Sequence, residues 1–87
     1  MSDAQLIDRM TALTMQIADR ATQAAEQDPT TAPAIIDLAM SAATGLEAGR
    51  RVLLAYGDTA NAVFMIEAAQ RALNILCSLL QANRVLS

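Results

Sequence analysis

The chain has 87 residues, of which 54% are hydrophobic but only 2% aromatic, and nine acids against six bases leave a net charge of −3. Residues 1–87 make a single helical domain, and area scaling gives a monomer of this size only about 60–65% burial of its unfolded surface. With no histidine and no lysine, the chain has no imidazole base or ligand, no Schiff-base amine and no P-loop lysine, and its scattered arginines make no basic face for nucleic acid or an anionic membrane.

The first predicted element is a helix over about 3–27. Ser2 followed by Gln5 matches a capping box, with Asp3 at the positive helix end. Leu6, Met10, Leu13, Ile17, Ala21 and Ala24 step by three or four and form one narrow stripe. Asp8, Gln16, Asp19, Gln23 and Glu26 lie opposite, and Met15 falls among them.

"DPTTAP" interrupts the pattern. Pro29 disfavours helix at Asp28, the threonines supply hydroxyls for a cap, and Pro33 suits the first turn of the next helix. That helix is expected over about 33–56. Its apolar residues are Ile35, Leu38, Ala39, Ala42, Ala43, Leu46, Val52, Leu53 and Tyr56. They cover roughly 200° of the wheel, wider than a coiled-coil seam. Ile36 and Leu54 mark one edge, and Glu47 and Arg51 have the favourable order for an i,i+4 pair.

Gly45 and Gly49 stand four apart in this helix, each weakening it by roughly 1 kcal/mol relative to alanine. A strip without side chains lets another backbone come close. Three readings follow: a self-association face, close packing against the first or third helix, or a kink for a ligand. Arg50 sits at the margin of the apolar arc. It either lays its stem on apolar surface with its head in water, or pairs across helices with a carboxylate such as Glu67.

"YGD" ends the second helix. Gly57 suits a left-handed cap, and Asp58 or Thr59 caps the next start. So short a link predicts an antiparallel hairpin. The third helix is expected over about 59–84, with the final "RVLS" fraying. Ala62, Met65, Ile66, Ala69, Ala72, Leu73, Leu76 and Leu80 form its main stripe, and Phe64, Ala68, Ile75 and Leu79 widen it past half the circumference.

No reaction emerges from these residues. Cys77, the one cysteine, reads as a small apolar side chain within "ILCSLL". Asp8 and Asp19 are three turns apart, too far to share a metal, and the acids read as a solvated face. No cofactor and no metal are expected, and no enzymatic activity. A lone cysteine, no apolar leader and no charge-free run of 18 residues lead to the expectation of a cytoplasmic protein without a membrane span.

The linkers carry one resemblance. "AAEQDPTTAPAIIDLA" resembles the junction between tetratricopeptide repeats, with Asp28–Pro29 at the turn and Leu38–Ala39 where that repeat has Leu-Gly. "YGDTANAVFMIEAA" resembles the start of its second helix, with Ala62, Ile66 and Ala69 at the small, large and small positions. The stretch from Pro29 to Gly57 exceeds the repeat's first helix by about three turns, and no second full copy follows. The likeness is therefore that of a helical hairpin; taken further, it implies a peptide-binding role.

The expectation is an all-α domain of three antiparallel helices, completing a larger bundle as a homodimer and acting by binding. Its contact residues are expected to be Gly45, Gly49, Arg50, Leu53 and Tyr56 of the second helix with Phe64 and Leu79 of the third, while Met15 and Val63 mark a second contact. The alternative is an adaptor or chaperone-like protein that holds a partner's amphipathic helix in an apolar groove.

Overall fold

Three helices account for the chain: α1 (Asp3–Gln27), α2 (Ala32–Tyr56) and α3 (Thr59–Leu86). The computed structural model describes residues 2–86, with side chains as far as Asn83. Each helix packs against the other two. The bundle measures 46 × 21 × 15 Å, with a radius of gyration of 14.0 Å. A globular chain of this length has a radius near 12 Å by the usual scaling. The accessible surface of 5450 Å² likewise exceeds the roughly 4,900 Å² that area scaling assigns to this mass. Long helices with few neighbours leave much of their surface outside.

Local chemistry fixes the helix ends. Ser2 Oγ accepts from the Gln5 amide at 3.2 Å, and Gln5 Oε1 accepts from the Ser2 amide at 2.8 Å, which completes the capping box. At the first break the threonines do not cap. Thr31 is helical in backbone and its hydroxyl donates to the Asp28 carboxylate, so Asp28 organises the turn and α2 starts on Ala32 with Pro33 in its first turn. Gly57 takes the left-handed conformation, φ 66°, and donates to Leu53 O at 2.8 Å. Asp58 then accepts from the Asn61 amide at 3.0 Å and opens α3. Helix geometry persists through Arg84, Val85 and Leu86, where fraying was expected; Ser87 lies outside the described residues.

The core is aliphatic. All six residues of the expected α1 stripe are buried: Leu6, Met10, Leu13, Ile17, Ala21 and Ala24. They meet Ile35, Leu46 and Leu53 from α2 and Ala62, Ala69, Leu73, Leu76 and Leu80 from α3. No polar or charged side chain is buried among the described residues. The wide arc of α2 is only partly covered. Leu38, Ala39, Ala42, Ala43 and Val52 are half-buried, and Tyr56, in the last turn, is 83% exposed.

Candidate functional site

The three seams between helices differ in chemistry. Along α1 and α3 the seam is polar. The Arg9 guanidinium donates to Gln70 Oε1, and Gln70 Nε2 donates to Asn74 Oδ1 at 3.1 Å. Further along, Arg20, Gln23 and Gln81 frame a shallow hollow beside half-buried Cys77. Side-chain hydrogen bonds among Arg9, Gln70 and Asn74 run along this flank.

The α1–α2 seam is mixed. A hollow of about 420 Å³ is lined by Met10, Thr11, Thr14 and Met15 from α1 and by Ala43, Glu47 and Arg50 from α2. The hydroxyls of Thr11 and Thr14 donate back to the carbonyls of Ile7 and Met10, so they offer acceptors rather than free donors. Glu47 is shared by two arginines, with Arg51 Nε at 3.2 Å and Arg50 Nη1 at 3.9 Å. All three side chains are at least 45% exposed, and such pairs contribute little stability. Arg50 thus pairs within its own helix rather than with Glu67. The reason is angular: Arg50 faces the α1 side of α2, while Glu67 lies on the exposed outer face of α3.

The α2–α3 seam is apolar but for Ser41. A groove of about 280 Å³ runs between Leu38, Ser41, Ala42 and Gly45 of α2 and Met65, Ala68 and Ala72 of α3. No charged side chain lines it. Beyond the groove, α3 carries a second stripe on its outer side: Phe64, Ala68, Ile75, Leu79 and Ala82, spaced four, seven, four and three apart. Phe64 is 59% exposed, Ile75 50% and Leu79 37%. The residues around Ile75 and Leu79 form a further open apolar depression with Asn74, Ser78 and Ala82.

The expected contact residues divide between interior and surface. Gly49 is buried; a Cβ there would stand 2.9 Å from Met65 Cγ and 3.3 Å from Met10 Cε. Its missing side chain lets α1 and α3 close on α2 within one chain. Gly45 is looser, with Met65 Sδ 3.6 Å from the position of a Cβ. Leu53 is 2% exposed and belongs to the core. Tyr56, Phe64 and Leu79 are surface residues, as are Met15 and Val63; Met15 lines the α1–α2 hollow and Val63 does not. Ile75, expected to widen the apolar arc of α3 but not named as a contact, joins the surface set. Met40, which the expected α2 arc omitted, is 62% exposed one turn from Ile36. Its signal was present in the i,i+4 spacing of Ile36 and Met40.

Among the described residues no three acidic or thiol side chains gather as metal ligands do. The stretch Thr59–Asn83 of α3 is long and apolar enough to cross a membrane by length and composition, with mean hydropathy 1.4. Of the residues in its most apolar window 22% are buried in the bundle, and Ile66 and Cys77 are half-buried against the core. No protein-family model matches the chain, and neither a curated protein nor a solved structure is similar to it.

Proposed function

We propose that this chain is a non-enzymatic helical assembly module of the cytoplasm, in which successive helices run antiparallel and the α2–α3 face closes a homodimer. The observation that carries the reading is the charge-free groove flanked by Phe64, Ile75 and Leu79. Contiguous apolar surface of this kind is a mark of association in small proteins. The antiparallel order is supported by the neighbours of α2. Gly49, late in α2, lies against Met65, early in α3, while Leu38, early in α2, shares the groove with Ala72 further along α3.

Magnitudes place the affinity. Covering a half-exposed Phe, Ile or Leu side chain gains about 1 kcal/mol, half of the full burial value. Six such side chains in a dimer give about 6 kcal/mol, within the range of 4–15 kcal/mol that association costs. The small residues of the groove must therefore contribute close packing, and the dimer dissociates on dilution. The test is thermal unfolding over a hundredfold range of concentration. A melting temperature that rises with concentration supports assembly through this face. A constant melting temperature with strong binding of a hydrophobic dye favours the second reading.

That second reading is an adaptor that holds a partner's amphipathic helix. The observation in its favour is the α1–α2 hollow, which places the exposed side chain of Met15 beside Arg50, with core Met10 also in its lining. Methionine-lined surfaces adapt to varied apolar partners.

A further inference from the structure

Taken with Ala72 of the groove wall, the apolar stripe of α3 is ordered as well as apolar: one large residue is followed by two small, two large and one small. Phe64, Ile75 and Leu79 are large, and Ala68, Ala72 and Ala82 are small. Phe64, Ile75 and Leu79 project into solvent, while Ala68 and Ala72 form the α3 wall of the groove. A helix laid against this stripe packs well only where its large residues meet the small ones.

We infer that the occupant is a second copy of this chain, with α3 antiparallel to the partner's α3 about a two-fold axis beside Leu73. This rests on the self-association proposed above and adds its register. With the axis at Leu73, residue i faces residue 146 − i within one position, because a two-fold interface pairs each residue with its reflection. Phe64 then meets the partner's Ala82. Leu79 falls on the partner's Ala68, and Ile75 on the partner's Ala72, both of them walls of the groove. Every large residue faces a small one.

The neighbouring registers fail. Moving the axis to Ile75, a slide of one turn, sets Ile75 on Ile75 and leaves Ala68 over Ala82. Sliding a turn the other way sets Phe64 on Leu79. A parallel dimer stacks each large residue on itself. The size of the face agrees with a dimer. Helices of 25 and 28 residues are about 37 and 42 Å long and lie about 10 Å apart. Together they offer a face on the order of 800 Å², the area each partner gives to a standard interface.

The test is a size swap. Phe64→Ala and Ala82→Phe each act on one side of the proposed contact, and both positions are exposed in the single chain, so the fold is retained. Each single variant is expected to raise the dimer Kd about tenfold in sedimentation, equivalent to about 1.4 kcal/mol. The double variant, which exchanges the two sizes, is expected to return to within about threefold of wild type. A dimer weakened by both single variants and weakened further by the double one overturns the register while self-association stands. A wild-type chain that is monomeric throughout overturns both, and binding of that monomer to phosphatidylcholine vesicles would assign the face to a bilayer. Disulfide trapping gives a second readout that needs no rescue. In a Cys77→Ala background, Phe64→Cys and Ala82→Cys chains are mixed and oxidised. The register predicts mixed 64–82 crosslinks and few 64–64 ones, since two copies of position 64 stand about 27 Å apart. Predominant 64–64 crosslinks overturn it.

Discussion

Among the described residues α1 and α3 each bury six side chains, Ala62, Ala69, Ala72, Leu73, Leu76 and Leu80 in α3, yet their outer faces differ. Behind its buried stripe α1 turns aspartates, glutamines and threonines to water, and Met15 is its one exposed large apolar residue among those described. Behind its own stripe α3 exposes Val63, Phe64, Ile75 and Leu79. The core therefore does not distinguish the two helices; their outer faces do. Burial inside the bundle accounts for the hydrophobic pattern of α1 except Met15 and for that of α3 only in part, and the proposed dimer would cover the remainder.

The sharpest way to break this contrast is to make the same change on either side of it. Leu13→Ala removes a fully buried side chain and is expected to cost about 3 kcal/mol in urea unfolding, within the usual range of 2–5 for such sites. In a domain whose whole stability is about 5–15 kcal/mol, that is a large fraction. Leu79→Ala, chemically identical, is expected to change the stability of the dilute monomer by less than about 1 kcal/mol while weakening the dimer. Equal losses in dilute monomer would place Leu79 in the core and dissolve the distinction.

The glycines sharpen it next. Gly49→Leu drives a side chain into Met65 and Met10 and is expected to cost about 1–3 kcal/mol by overpacking, at every protein concentration. Loss of the dimer with no change in monomer stability would instead make the glycine strip an external contact. Ser2→Ala removes one half of the capping box and is expected to lower the melting temperature by the equivalent of about 1 kcal/mol. Smallest is Gly45→Ala. Its Cβ meets only Met65 Sδ at an ordinary 3.6 Å, so helix propensity wins and the chain gains about 0.5 kcal/mol. Opposite signs at two glycines one turn apart would show that packing room, and not the shared spacing, decides their roles.

How much of this was legible in the sequence follows the same division. The α1 stripe reads correctly residue for residue, because a narrow arc with polar residues opposite has only one way to face a core. Ser2 and Gly57 are equally plain, since their jobs are local to one turn of chain. Thr31 is not: the choice between its hydroxyl and the Asp28 carboxylate depends on how the turn closes. The wide arcs of α2 and α3 state that more than one neighbour is present without stating which part each covers. Leu53 and Tyr56 lie on one arc, yet Leu53 is sealed while Tyr56 stands in the last turn, where only two residues, Gly57 and Asp58, lead into α3. Arg50 and Glu47, three apart, were a readable pair. Glu67 became a candidate only while the flank each residue faces was unknown.

The most direct test of the central claim is the absolute mass by light scattering across a dilution series, for wild type and for Phe64→Glu. Phe64 is 59% exposed in the single chain, so a charge there leaves the monomer folded, but at the proposed contact it is buried against the partner's Ala82 at a cost. The account predicts wild type at twice 9.2 kDa when concentrated, falling toward the monomer on dilution, and the variant at the monomer mass throughout. A wild type that stays at 9.2 kDa at every concentration, or a variant that dimerises as well as wild type, would contradict it.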